Sequence, residues 1–379
     1  MARARLRTVW ALLALALFCF SMVEASSQFN KNFFNGFFNN RKVNNNANGN
    51  DNNGNNQNNG NNNNNNGNNR NNNNNGNGNN NGQTSGQGGA RIFQATDGSM
   101  ILDKTVQING LPIRYRISAP ADQFTAQSGV QGGNSAPNSG GNNGINVLLH
   151  GDGGQSFFAF PNQGVKGGLM GVAVLSPDKN RKWGGADRNG VTRPDGVAHS
   201  QAVNDLIQQE LPQMVAFDKS NVFFTGVSGG SLTLSGFFMP AHMGNYPNTG
   251  VMLNCGALPP QVNFSPEAAA AMANTRIHFQ STSRELRSLQ RDIPRAAMAY
   301  EQAAGKAGLN NQQINSLQTL NNAPNGGHCA FDGKGFSSGV QLMANNYQNV
   351  MQAGGNGQVN GIGFVSNGVV GNERPQFAN

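Results

Sequence analysis

Apolar and polar positions follow two regular periods from about residue 90 onward and almost none before it. Residues 105–117 alternate apolar and polar on either side of Asn109-Gly110, a dipeptide suited to a two-residue hairpin turn. Two antiparallel strands are therefore expected to open the domain. Short apolar runs follow at 145–149, 172–175, from Val222 into Gly226, and 250–254, with 276–280 after them; such runs read as buried strands. Between them, 198–211 carries Ala202, Val203, Leu206 and Ile207 at helical spacing, with Pro212 expected to end the helix. Further helices are expected over 231–239, 267–274, 296–304 and 337–351, with Pro294 breaking or beginning whatever precedes the third. The Gly-rich stretch from Gly354 resolves into no period. Strands alternating with helices predict an α/β class: a mostly parallel sheet with helices on both faces, opened by an antiparallel hairpin.

The non-periodic part divides in two. Residues 1–25 place Arg3, Arg5 and Arg7 before an apolar run from Val9 to Phe20, with small residues at Val23 and Ala25, the form of a secretory signal peptide. The run is short of the ~20 residues a span needs, and no later segment approaches that length, so a secreted, extracellular chain without a membrane span is expected. Residues 26–89 are dominated by Asn and Gly and lack the apolar surface to offset chain entropy, so this tract is expected to be disordered. A low-complexity tract without a specific partner is the plainer reading; a spacer touching cell wall or polysaccharide is the other. Phe29, Phe33, Phe34, Phe37 and Phe38 are its only adhesive element. Residues 90–379 suffice for one domain.

Charge and cysteine content narrow the setting. The formal +8 becomes +6 without Arg3, Arg5, Arg7 and Glu24, and the basic residues are scattered, which argues against a nucleic-acid partner. Cys19 leaves with the signal. Cys255 and Cys329 are then the only pair in an oxidising compartment, and a disulfide between them is expected, tying down the loop that carries His328. Asn263-Phe264-Ser265 is a glycosylation sequon weakened by Pro266.

Candidate chemistry centres on Gly226-Val227-Ser228-Gly229-Gly230, which follows an apolar strand and precedes a helix pattern. A serine projects from so sharp a strand-to-helix turn only when its flanking positions lack side chains. A second match, at residues 335–339, follows a polar stretch with no strand before it. A nucleophilic serine needs a base, an orienting acid and oxyanion donors. His150-Gly151-Asp152-Gly153-Gly154 follows a buried strand and points to Asp152 and Gly153 as donors, joined by Gly229 just after the serine. His328 lies downstream in a late loop and is the candidate base, while His150, His199, His242 and His278 suit structural roles. Glu285 is the first carboxylate after the 276–280 strand, with Asp292 as the alternative acid.

The segment 150–154, the Ser228 elbow, Leu253-Asn254-Cys255-Gly256-Ala257 and Gly327-His328-Cys329 together resemble the secreted α/β-hydrolases grouped with polyhydroxybutyrate depolymerases and feruloyl or acetylxylan esterases. The resemblance covers about residues 104–352 and departs from the group's Asp-containing turn at the acid. It implies hydrolysis of carboxylic esters through an acyl-enzyme, on extracellular polymers or their fragments, without metal or organic cofactor. Two other readings stay open: a serine peptidase of the same fold, and an inactive hydrolase-like surface or polysaccharide-binding protein. Residues 155–168 and 183–193 are expected to line the pocket, with Phe157, Phe158, Phe160 and Trp183 as either cleft walls or a satellite core.

Overall fold

The Asn109-Gly110 turn closes a hairpin between Met100–Ile108 (β2) and Leu111–Ala119 (β3), with Ile108 opposite Leu111. Both turn residues have positive φ, 52° and 79°, as the twist of a two-residue hairpin loop requires. The computed structural model describes residues 89–159, 164–185, 187, 191–331, 343 and 345–378. The signal, nearly all of the Asn-rich tract, Phe160 and the second serine motif lie outside them. Arg91–Gln94 (β1) pairs with the outer side of β2.

The remaining strands along the main sheet are Gly144–Leu149 (β4), Leu169–Leu175 (β5), Val222–Val227 (β6), Gly250–Asn254 (β7), Arg276–Gln280 (β8), Gln318–Asn321 (β9) and Asn367–Gly368 (β10); the short Val165–Lys166 pairs with β5, and Gln358–Val359 with Gly363–Phe364 apart from it. Strands β1 to β10 lie in the order β1-β2-β3-β5-β4-β6-β7-β8-β9-β10. Strands β5 to β9 are parallel, and β3 joins them antiparallel to β5. With the nucleophile elbow after β6, this is the α/β-hydrolase fold. β4 has β5 on one side and β6 on the other, so the chain changes direction there. Crevices at the carboxyl ends of strands beside such a switch point are where open α/β sheets bind ligands.

Every residue of β4 and β6 is buried, as expected for strands covered on both faces. Alternate positions separate into two cores. Ile145, Val147, Leu149, Val172, Val174 and Phe224 join the larger; Leu148, Ala173, Phe223 and Val227 join the smaller.

The prolines behave differently from the sequence expectation. Gly196–Asp205 continues through Leu206–Glu210 to Leu211–Met214, past Pro212. Leu206–Glu210 is a π-helical turn, whose wider spacing moves the preceding carbonyl away from the proline ring. The same arrangement precedes Pro240: Leu234–Phe238 is π-helical and Met239–His242 carries on. Pro294 neither breaks nor begins a helix; it sits inside Arg287–Lys306. There the burial of Leu289, Ile293, Ala296, Ala297, Tyr300 and Ala304 outweighs the roughly 3 kcal/mol that an interior proline costs. Of the helix expected over 337–351, Tyr347–Met351 is described. Among the described residues no helix is long and apolar enough to cross a membrane.

Candidate active site

Ser228 directly follows β6 with φ 48° and ψ −114°, a conformation costly for a residue with a side chain. Its surroundings enforce the turn. A Cβ on Gly226 would lie 2.6 Å from Ser231 Cα, and one on Gly230 2.0 Å from the carbonyl oxygen of Leu149. The Ser228 N–H donates to Asn254 O at 2.8 Å, and its carbonyl accepts from Leu232 N–H at 3.0 Å to start the Gly229–Thr233 helix. The hydroxyl is thereby held at the carboxyl end of the sheet, half-buried.

Ser228 Oγ lies 2.9 Å from His328 Nε2. On the other side of the ring, His328 Nδ1 is hydrogen-bonded to Glu285 Oε1. Leu286 N–H donates to that same oxygen at 2.8 Å, and Ser281 Oγ to Glu285 Oε2 at 3.4 Å. The Glu285 side chain is wholly buried, whereas that of His328 is 23% exposed. Glu285 accepts through Oε1, so Nδ1 carries the ring proton and Nε2 is left to accept from Ser228.

The His328 loop is tied to the segment after β8. Ser283 N–H donates to Pro324 O at 2.9 Å, Arg284 N–H to Gly326 O at 3.2 Å, and Thr282 Oγ1 to Gly327 O at 3.0 Å. Cys329, next in the chain, is joined to Cys255 with a Cα–Cα distance of 5.3 Å. Cys255 directly follows β7, and its N–H donates to Gln280 O at 2.7 Å. The base, its acid and the ends of β7 and β8 are thus fastened to one another. Of the two carboxylates that the sequence left open, Glu285 faces His328; Asp292 lies in the Arg287–Lys306 helix, 3.0 Å from Arg291 and 3.6 Å from Arg295.

The loop after β4 is built around a neutral histidine. Ser176 N–H donates to His150 Nε2 at 2.9 Å, so Nδ1 bears the proton and donates to Gly151 O at 2.6 Å. Burial pushes the His150 pKa down to about 4. Asp152 is gripped by Arg193, whose two terminal nitrogens donate to its two oxygens at 2.9 and 3.0 Å while also reaching Trp183 O at 2.7 Å. Its carboxylate lies so close to the elbow that a Cβ on Gly229 would be 2.0 Å from Oδ1. The N–H groups of Asp152 and Gly229 have no acceptor among the described residues. Gly153 departs from its expected part, because its N–H donates to Arg181 O at 3.0 Å. Donation there anchors the loop and leaves Asp152 and Gly229 as the candidate donors.

The remaining histidines have structural partners or are held neutral. His199 accepts from Gly184 N–H at 2.8 Å; His278 sits between Thr319 Oγ1 at 2.9 Å and Gln280 Oε1 at 3.1 Å, with burial pushing its pKa to about 4. Burial also lowers the pKa of His242. Phe157 and Trp183 are fully buried core residues, while Phe158 is 41% exposed. Arg193 had no signature in the sequence. Its only clue was a basic residue in a segment expected near the site, and its pairing with Asp152 is visible only in three dimensions.

No family model and no curated protein matches the chain. Among solved structures, a thermostable esterase shares 14% identity over 64% of this chain, with a TM-score of 0.41. Acyl-protein thioesterase 2 of Zea mays shares 16% identity over 55% of this chain and 96% of its own, TM-score 0.36. The acylaminoacyl peptidase of Pyrococcus horikoshii shares 9% identity over 71% of this chain and 49% of its own, TM-score 0.37. The chain spans 59% of the length of the thermostable esterase. At such identities nothing about substrate passes to this chain, and the fold class rests on the strand order and the elbow.

Proposed function

We propose that the protein is a serine hydrolase that cleaves carboxylic esters through an acyl-enzyme. The observation that carries this reading is the contact chain Ser228 Oγ to His328 Nε2 at 2.9 Å, and His328 Nδ1 to Glu285. His328 Nε2 takes the Ser228 proton as Oγ bonds to the acyl carbon, and the carbonyl π electrons move onto oxygen. The N–H groups of Asp152 and Gly229 receive that oxyanion, each contributing on the order of 10²- to 10³-fold in rate. As the oxyanion re-forms the carbonyl, the bond to the alcohol breaks and His328 returns the proton to it, leaving the acyl group on Ser228. Water, deprotonated by His328, then attacks the acyl carbon; the carboxylic acid departs and Ser228 regains its proton. Glu285 holds the imidazole in the required tautomer and stabilises its charged form.

Secretion is part of the proposal. It is supported by the signal-like residues 1–25 and by the paired cysteines, which suit an oxidising compartment. The substrate is then an extracellular ester, polymeric or a fragment of a polymer. The test is turnover of a panel of aryl esters and peptide amides by the wild-type protein and by Ser228→Ala. Ester hydrolysis that falls on the order of 10⁵- to 10⁶-fold in the variant is expected. Activity preserved in Ser228→Ala would overturn the assignment, and preferential cleavage of amides would favour the peptidase.

A further inference from the structure

We infer that the ester substrate is carried on a carboxylate-bearing polymer, recognised by a cationic and aromatic patch beside the oxyanion loop; this rests on the ester-hydrolase reading above. Arg181 belongs to the rim of that loop, because its carbonyl accepts from Gly153 N–H at 3.0 Å. A Cβ on Gly154 would meet Arg181 Cδ at 2.7 Å. Gly154 is two residues from Asp152, whose carboxylate lies against Gly229, so the Arg181 side chain is within about 15 Å of Ser228 by chain geometry. Its guanidinium stands 5.6 Å from the ring centre of Phe158, which Arg114 and Arg116 also face at 5.8 and 5.3 Å. Arg116 further covers Phe93 at 5.7 Å. Phe93 and Phe158 are both 41% exposed, unusual for side chains of their size.

Charge in the patch is unbalanced. Asp103, buried, accepts from Arg114 at 2.7 Å and from Arg116 at 2.9 Å, and among the described residues it is the one carboxylate within ion-pair distance of any of the three arginines. Asp178, at the base of the Arg181 turn, accepts from the N–H groups of Asn180 and Lys182 at 2.9 and 3.1 Å, and its chain neighbours include Lys179 and Lys182. Three guanidiniums against one carboxylate leave a surplus of two positive charges. The exposed parts of Phe93 and Phe158 add apolar surface among these charges. A polyanion bearing esters would meet its counter-charges here while one ester reaches Ser228; a neutral polymer would leave them unused.

The test compares acetate release from O-acetylated carboxymethyl dextran and O-acetylated dextran of matched length and acetyl content. The ratio of kcat/KM for the anionic over the neutral polymer is expected to be about tenfold or more at low salt. It should fall toward parity at roughly 0.5 M NaCl, where screening acts within a few ångströms. Arg181→Gln should cut the low-salt ratio several-fold, whereas Lys306→Gln, an equal charge change at the exposed end of the Arg287–Lys306 helix, should not. Equal turnover of both polymers by the wild type, or equal effects of the two variants, overturns the inference. Binding of Ser228→Ala protein to the unacetylated polymers, measured by calorimetry, separates the two claims. Preference for carboxymethyl dextran that Arg181→Gln weakens upholds the patch even if no ester is cleaved, and no preference overturns the patch whatever the hydrolysis.

Discussion

Replacing Glu285 by Gln removes one charge from the site while preserving the shape of the side chain. The oxygen facing His328 also accepts from Leu286 N–H at 2.8 Å, so that position demands an acceptor. A glutamine that turned its NH2 group there would confront two donors and lose a buried hydrogen bond, at about 1–3 kcal/mol. The amide oxygen therefore keeps its place, and Ser281 Oγ can rotate to accept from the NH2 group. The imidazole tautomer survives, and what disappears is the attraction between carboxylate and imidazolium. Unit charges about 4 Å apart at an effective dielectric near 20 interact by about 4 kcal/mol, of which the retained neutral hydrogen bond makes up part. Glu285→Gln should lower kcat for 4-nitrophenyl acetate by about 10²- to 10³-fold with little change in KM, read from steady-state release of nitrophenolate. A loss of less than tenfold would refute the electrostatic role of Glu285. A loss of 10⁴-fold or more, the scale of a wrong tautomer, would refute the argument from Leu286.

Arg193→Met should lower kcat about 10²-fold, the scale of one lost oxyanion donor, because Asp152 loses both of its guanidinium contacts. Arg193→Lys should recover part of this, and a loss confined to KM would contradict the positioning role. Removing the Cys255–Cys329 link by double substitution to Ala should cost roughly 4 kcal/mol in urea unfolding, from the entropy of the 74-residue loop, and should reduce kcat as the His328 loop loosens; unchanged kcat would show that the hydrogen bonds to Pro324, Gly326 and Gly327 suffice. His150 and His278 are held at pKa values of about 4 against an ordinary 6.5. A depressed histidine pKa means that the fold favours the neutral ring, so this stability is complete above pH 6.5 and is lost as pH falls toward 4. It amounts to about 3 kcal/mol for each, and urea midpoints should fall across that window, less steeply in His278→Gln.

Much of the sheet was legible because its strands advertise themselves. Strands β7 and β8 coincide with the apolar runs at 250–254 and 276–280, and Asn109-Gly110 marks the hairpin. Strand β9, Gln-Thr-Leu-Asn, escaped the pattern although all four residues are buried. Its polar side chains find distant partners: Gln318 Nε2 donates to Tyr300 O at 3.0 Å, although Gln318 Oε1 has no partner among the described residues, and Thr319 Oγ1 meets His278 at 2.9 Å. A polar strand is invisible to hydrophobic periodicity. Chain order singled out Ser228, His328 and Glu285, which the fold brings into contact, but it could not choose between Glu285 and Asp292. That choice depends on where the turn after β8 points its side chains. Nor could it assign individual N–H groups, so the bond from Gly153 to Arg181, and the grip of Arg193 on Asp152, come from the structure alone.

The central claim is that Ser228 is an activated nucleophile. Labelling of the folded protein with a fluorophosphonate, followed by mass-spectrometric location of the adduct, tests this most directly. The account predicts a single stoichiometric adduct on Ser228, lost in His328→Ala. Absence of label on folded protein, or an adduct on Ser337 instead, would contradict it.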